Sequence, residues 1–501
     1  MDILYSFAIG FVVLLLILLS RFTGVIASWI TWYNGIRHLS RSLPSPPRRW
    51  LWGNSLEFDF SMKSLQYIQD YHVKYPKWCV YWIGPFIPMV FTADLETVGV
   101  LLQQSGEAPK PRGYDCMHKW TGLGLVTSCG ERWRRHRKML TPAFHFDILK
   151  QYIPVYNEVS HKLLEIWSGL ADSGESVEIT EYLNLYTLDV LLRCIYSINS
   201  NCLEEREVPY LVATKELSRL LLERVYNPLL AFDWIYFATA AGHKFLHNCN
   251  LVHKFSEEVI LQRRDELLKT PLGSQPTRKY QDFLDILLSA RDENGEGLTD
   301  TEIREEVDTF MFGGHDTTAV ALGWILYCLA MYKEHQEECR KEIREVLAGR
   351  DSDDITWEDL TKLNYTTMCI KETLRLYPIV PITSKLSEGF VGNGQRIPKG
   401  TWINIGIYTV HHDPLVWDDP ERFDPTRFSA ENMKNMDPFA FLTFSAGPRN
   451  CIGQRFAMQE LKVTVAHIVN RFLLEMDTTH TVEPHFHAML KSTTGIKLKL
   501  L

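Results

Sequence analysis

Residues 3–20, ILYSFAIGFVVLLLILLS, form a run of eighteen positions without a charged side chain. As a helix this run reaches about 27 Å, close to the roughly 30 Å hydrocarbon core of a bilayer. Only Asp2 and the amino terminus precede it, whereas Arg21, Arg37, Arg41, Arg48 and Arg49 follow it. The positive-inside bias therefore predicts a single-pass anchor with a lumenal N-terminus and a cytosolic remainder. A cleaved signal peptide is the alternative. The run is longer than a usual signal core and lacks a positive leader, which favours the anchor. A second apolar stretch, Phe22 to Ile36, is interrupted by polar residues and suits the membrane interface, with Trp29, Trp32 and Tyr33 at headgroup level. The cluster Leu43-Pro44-Ser45-Pro46-Pro47 then reads as a stiff, extended linker. The expected organisation is an anchor and flanking segment over 1–42 and one large domain over 43–501.

Hydrophobic residues make up 46% of the 501, enough for a large core. The net charge of −8 is mild for this length and argues against a nucleic-acid partner, which selects a basic face. Ten cysteines are scattered along the chain, and no two form a C-x-x-C. That excludes a zinc-ribbon or thioredoxin-like site and suits buried thiols in a reducing compartment. Helical periodicity dominates, most clearly over 283–288, 302–330 and the charged 334–347 stretch. Strand signals are short: 80–83, 89–91, 401–404 and 496–498. The predicted class is mainly α with small β-sheets. The Asn364-Tyr365-Thr366 sequon is not expected to be used in a cytosolic domain.

Four motifs carry the chemistry. Residues 444–453 read Phe-Ser-Ala-Gly-Pro-Arg-Asn-Cys-Ile-Gly, or F-x-x-G-x-R-x-C-x-G. Upstream stands Glu372-Thr373-Leu374-Arg375, whose Glu and Arg share one helix face at i, i+3. Trp133-Arg134-Arg135-His136-Arg137 places Trp133 and Arg137 one turn apart. Inside the long helical stretch lies Gly313-Gly314-His315-Asp316-Thr317-Thr318, where paired glycines cost helix stability and so need a local reason. A helix kink with a threonine back-bonded to the preceding turn is the plain reading of that segment.

In this order the motifs resemble those of the cytochrome P-450 superfamily, and the resemblance covers the whole chain. It implies the P-450 fold and a haem b held by Cys451 as thiolate ligand to the iron. A thiolate pushes electron density onto that metal and favours O–O cleavage. Backbone N–H groups in a tight loop stabilise its charge. By the same resemblance, Phe444, Gly447 and Gly453 shape the loop, and the glycines bring backbone close to the sulfur and the porphyrin. Arg449, Trp133 and Arg137 are implied to meet the haem propionates. Glu372 and Arg375 are implied to join an arginine of Pro420-Glu421-Arg422-Phe423 in a structural triad. Gly313 and Gly314 clear space over the haem, Thr317 hydrogen-bonds dioxygen, and Asp316 relays protons through water. Arg134, Arg135 and Lys138 face solvent or form a docking face for an acidic reductase.

Residues 306–318, 278–286, 367–372 and 448–454 further resemble family 4, whose members mostly hydroxylate fatty acids and eicosanoids at or near the ω carbon. Gly313 stands where many of those members carry a glutamate able to esterify a haem methyl. The resemblance therefore implies a haem that is not ester-linked, and a looser preference for the terminal carbon. Lys385 stands where relatives often have an arginine reaching a propionate; lysine keeps the charge and loses the fork. Substrate contacts are expected from 114–125, Phe312, Gly313, 379–382 and 490–494, with Arg112 or Lys110 as candidate partners of a substrate carboxylate. No G-x-G-x-x-G is present, so electrons are expected from a separate NADPH–cytochrome reductase, with cytochrome b5 as a second candidate donor. The expected location is the endoplasmic reticulum membrane. Three readings follow: a fatty-acid or eicosanoid hydroxylase, a steroid or xenobiotic monooxygenase of the same class, and a haem-binding protein without turnover. The Asp316–Thr317 pair speaks against the last.

Overall fold

The computed structural model describes residues 43–501 except Phe60, Phe86, Ser105, Ala231, residues 270–281, Asn393, Gly394 and Ala488, together with scattered positions between Thr23 and Arg41. The apolar run over 3–20 lies outside the described residues. Among the described residues no helix is long and apolar enough to cross a membrane. Trp29 and Tyr33 stack with ring centroids 5.3 Å apart, one helical turn from each other.

The centre of the molecule is the helix Asp300–Met331. Thr299 starts it with a capping box: its hydroxyl accepts from the Glu302 amide while the Glu302 carboxylate accepts from the Thr299 amide. Most of this helix is buried, including Glu306, Asp308, Thr309, His315, Asp316 and Thr318. Buried polar groups need partners. Glu306 takes the His136 Nδ1 at 2.6 Å and the Leu125 amide at 3.0 Å. Asp308 takes Arg304 at 2.6 Å. The helix packs most extensively on Ile179–Ile195. Gly314 makes that approach possible, since a Cβ there would stand 2.5 Å from the Leu191 Cδ1. Its bare Cα thus serves helix packing and not the space expected over the haem. At Gly313 a Cβ would meet nothing within 4 Å.

A four-stranded sheet flanks the helical body. Cys79–Ile83 pairs antiparallel with Ile87–Thr92, which runs parallel to Trp402–Gly406, which is antiparallel to Ile382–Leu386. Lys385 lies opposite Ile403 and Thr383 opposite Ile405 in this register. The predicted helices at 283–288, 302–330 and 334–347 fall within Phe283–Ser289, Asp300–Met331 and Lys333–Leu347. All four predicted strands overlap observed ones. Ile382–Leu386 and the hairpin of Pro484–His487 with Met489–Ser492 carried no strand signal, being short and mixed in polarity.

Glu372 and Arg375 are fully buried on the helix Asn364–Leu376 and form a two-pronged ion pair of 2.8 and 2.9 Å. Arg375 also donates to the His411 carbonyl at 2.7 Å and the Arg422 carbonyl at 3.2 Å. The third cation of the expected triad is Arg427, whose Nε lies 3.4 Å from Glu372. Arg422 offers only its carbonyl: the chain turns at Asp419 in the left-handed region, and the Arg422 side chain points outward towards Asp424. The pair reaches the cysteine loop through His411. Its Nδ1 donates to the Arg375 carbonyl at 3.1 Å, and its Nε2 accepts the Leu442 amide at 2.9 Å. Burial, then His412 and Arg375, hold His411 far below the ordinary histidine range, so it stays neutral as this tautomer requires. Thr443 adds a bond to the Leu374 carbonyl at 3.0 Å.

Removing one member of a buried ion pair leaves the other charge unpaired. Glu372→Ala is therefore expected to lower stability by about 3–5 kcal/mol in chemical denaturation. Arg422→Ala is expected to change it by less than about 0.5 kcal/mol, because that side chain is exposed. Equal losses in the two variants would refute the assignment of Arg427.

Candidate active site

The loop from Leu442 to Gly453 is tied down before it reaches Cys451. Ser445 and Gly447 both adopt left-handed backbone, φ 57° and 71°. The Asn450 amide donates to the Gly447 carbonyl at 3.1 Å and the Cys451 amide to the Phe444 carbonyl at 2.9 Å. A Cβ at Gly447 would sit 2.0 Å from the Leu102 carbonyl oxygen. Gly447 therefore docks the loop against the helix Leu95–Gln103, rather than bringing backbone to the sulfur as expected. Gly453 does lie beside the sulfur, its Cβ position 4.0 Å from Sγ.

Cys451 is solvent-accessible, yet protein surrounds it closely enough that burial raises its thiol above the ordinary range. An accessible group enclosed in this way lines an internal hollow. The Gly453 amide and the Arg137 guanidinium act in the opposite direction and favour the thiolate. Arg137 comes from the helix Gly130–Leu140 and grips the neighbouring residue, donating to the Asn450 carbonyl at 3.0 Å and its Oδ1 at 2.8 Å. Arg137 thus clamps the loop that carries Cys451.

Trp133 is buried, and Arg449 lies 4.8 Å above its ring. Arg449 also donates to the carbonyls of Gly106, Leu125, Val126 and Ser128. It lines a cleft with Lys110, Lys385, Thr383, Gly106 and Ala446. Lys385 is part-buried and donates to the Leu101 carbonyl. Crowding of three cations shows in their acidities. Burial, then Arg449 and Lys385, push Lys110 down to about 7. Burial, followed by the Arg449 charge, lowers Lys385, with Glu388 opposing. Arg449 falls to about 10, chiefly through burial. Among the described residues none of the three forms an ion pair with a carboxylate. A cleft of this kind fits a ligand bearing carboxylates. Lys110 stacks over Tyr114 at 4.6 Å and belongs to this cluster. The Arg112 side chain lies outside the described residues.

On the central helix, Phe312, Gly313 and Thr317 are partly accessible, as is Gly314, while His315, Asp316 and Thr318 between and beside them are buried. Trp120, fully buried, packs on Phe312 at 4.4 Å. The Thr317 hydroxyl donates to the Gly313 carbonyl at 2.9 Å, the back-bond that the sequence also allowed. Asp316 points elsewhere. Both of its carboxylate oxygens take the Lys491 ammonium at 3.0 Å. Lys491 was not singled out from the sequence; the available signal was a lone cation between Leu490 and the hydroxyl run Ser492-Thr493-Thr494. Leu490 and Ile379, expected to touch substrate, are instead buried and mutually bonded: the Leu490 amide donates to the Ile379 carbonyl at 2.8 Å, and the Trp324 indole to the Leu490 carbonyl at 2.7 Å.

Of the expected docking face, Arg134 and Lys138 are largely exposed, each beside an acid, and Arg135 is part-buried. Arg135 is committed to Asp292 and the Gly297 carbonyl, and Lys138 to Glu293.

The donor set can be tested against a haem. An enclosed yet accessible sulfur ends the loop, a glycine with open space at its Cβ position lies on the central helix, and three crowded cations line a cleft beside the residues that lead to the cysteine. Each feature fits an iron porphyrin with two propionates. Comparison with known proteins agrees. The family model described as "Cytochrome P450" matches residues 43–500. "Cytochrome P450 4F6" of Rattus norvegicus is 44% identical over 467 residues, covering 90% of this chain and 86% of the relative. "Leukotriene-B4 omega-hydroxylase 3" of Mus musculus is 42% identical over 479 residues, 93% and 91% of the two chains. "Ultra-long-chain fatty acid omega-hydroxylase" of Homo sapiens is 42% identical over 479 residues, 92% and 88%. Family match, whole-length similarity and a site suited to haem lead to one conclusion: the chain belongs to the cytochrome P450 family and is a P450 monooxygenase.

Proposed function

We propose that this enzyme hydroxylates a fatty acid or eicosanoid at or near its ω carbon, using haem ligated by Cys451. The observation that carries the site assignment is the Cys451 sulfur, closely surrounded by protein yet accessible, with the Gly453 amide and the Arg137 guanidinium favouring its thiolate. The substrate class rests on relatives named for leukotriene and fatty-acid ω-hydroxylation. Haem bound there supplies the redox-active iron at which dioxygen is activated.

The protein's own residues do the rest. Arg137 clamps Asn450, so the sulfur is held in one orientation, and the Gly453 amide supports its negative charge. Arg449, Lys385 and Lys110 receive the propionates; an anion in that cleft offsets the burial and mutual repulsion that make the two lysines more acidic than usual. Thr317 exchanges its bond to the Gly313 carbonyl for one to a reacting oxygen. Asp316 passes protons towards it when its carboxylate leaves the Lys491 ammonium, which holds both of its oxygens at rest. Electrons come from a separate reductase. The apolar run over 3–20 anchors the enzyme in the endoplasmic reticulum membrane with the catalytic domain in the cytosol.

Four outcomes are expected. Reconstituted with NADPH, reductase and fatty acids of increasing chain length, the enzyme yields terminal or penultimate alcohols, located by mass spectrometry, and Cys451→Ala yields none. Absence of product from every acid, with haem bound and reducible, would redirect the substrate class to steroids or xenobiotics. Acid-organic extraction frees all of the haem, because Gly313 has no carboxylate; Gly313→Glu, for which the structure has room, is the variant in which part of the haem stays on the polypeptide. Asp316→Asn lowers kcat by roughly 10²-fold. Lys491→Met raises the share of NADPH consumed without product, and Lys491→Arg restores coupling. Unchanged coupling in Lys491→Met would remove Lys491 from proton delivery.

A further inference from the structure

Away from the hollow, His161, Asp353 and His467 meet where two helices, Ile153–Ala171 and Gln454–Arg471, face the loop after Lys333–Leu347. His467 lies thirteen residues beyond the start of its helix, about 20 Å along the axis from the Cys451 loop. One donor atom from each of the three side chains lies within 4.8 Å of the others. The two imidazoles cross edge-to-face with centroids 4.7 Å apart.

Both rings are oriented by an oxygen. The buried Asn157 donates to the Ile355 carbonyl at 2.9 Å and accepts the Ile355 amide at 3.0 Å, which settles which amide atom is oxygen. That oxygen takes the His467 Nε2 at 2.7 Å, so His467 carries its proton on Nε2 and a lone pair on Nδ1. Burial, then the neighbouring His161, push His467 down to about 4, so the ring is neutral under physiological conditions. The His161 Nε2 faces both acids of the loop, Asp354 at 2.8 Å and Asp353 at 3.8 Å. A histidine whose far nitrogen donates to a carbonyl or carboxylate is the usual form of a metal-bound histidine. Two imidazoles and a carboxylate select a zinc-class ion over magnesium or calcium. Tetrahedral bonds near 2.0–2.1 Å place donors about 3.3 Å apart. Closing from 4.8 Å requires rotation only of the half-exposed His161 and the exposed Asp353, while His467 stays fixed.

We propose that His161, Asp353 and His467 bind one divalent zinc-class cation, with water as the fourth ligand, and that the ion clasps the two helices to the 350–356 loop. The site is independent of the haem assignment. The test is titration of the metal-free, haem-loaded, full-length enzyme with zinc chloride against a chromophoric chelator. Wild type is expected to take up one ion that His161→Ala and Asp353→Ala each bind at least roughly tenfold more weakly. Zinc is expected to raise the melting temperature of wild type and of neither variant. Cys129→Ser, which removes an exposed thiol able to bind zinc elsewhere, should titrate as wild type does. Indistinguishable isotherms for wild type, His161→Ala and Asp353→Ala, or loss of the ion in Cys129→Ser, would overturn the proposal.

Discussion

The buried pair of Glu372 and Arg375 is the contact on which the site depends. Burying two charges costs free energy that Coulomb attraction offsets only with good geometry and with every remaining donor and acceptor satisfied. Both conditions hold here: two parallel hydrogen bonds join the pair, and backbone groups at His411, Arg422 and Asp424 use what is left. The consequence is positional. Arg375 orders the carbonyl of His411 and accepts its Nδ1 proton through its own, and the other face of that imidazole receives Leu442. Nine residues later the chain presents Cys451. The pair takes no part in chemistry, yet it sets where the chemistry occurs.

A second constraint comes from the central helix, which is both the spine of the core and one wall of the hollow. Its polar residues divide by direction. Glu306 and Asp308 face neighbouring elements and are paired there, Asp316 faces the hairpin that carries Lys491, and Thr317 faces the hollow. The two adjacent glycines divide in the same way. Gly314 admits Leu191, whereas Gly313 leaves open space. One residue of helical rotation, about 100°, separates a packing role from a lining role. In the cleft beside the cysteine loop, Lys110, Lys385 and Arg449 come from three separate segments and repel one another. Such a cluster is unfavourable by itself and becomes favourable when an anion enters, so binding and local stability are linked there.

Much of the architecture was legible in the sequence because it rests on local patterns. Helical periodicity marked the long helix and the charged helix after it, and the alternating apolar runs marked four strands. The cysteine loop was legible because ten adjacent residues carry it. What escaped was set by contacts between distant segments. Arg427, and not Arg422, completes the buried triad because the chain turns at Asp419. Arg137 and Gly447 serve the loop itself, through Asn450 and the Leu102 carbonyl. Leu490 and Ile379 are apolar in either role, and only their buried mutual hydrogen bond shows that they belong to the core. Lys491 stood unremarked because nothing near it in sequence shows that it meets a residue 175 positions away.

By itself the sequence determined the class of the protein: a helix-rich domain behind an apolar leader, with one cysteine in a loop of glycine, arginine and asparagine. These follow from spacing along the chain, where neighbours in sequence are neighbours in space. Only the tertiary structure decided the partners: which glycine packs and which opens, which arginine clamps the loop, which lysine holds Asp316, and that two histidines 306 residues apart cross at 4.7 Å beside Asp353. The physical reason is that charge pairing, burial and hydrogen-bond direction are properties of three-dimensional separation, and along this chain those separations are unrelated to residue number.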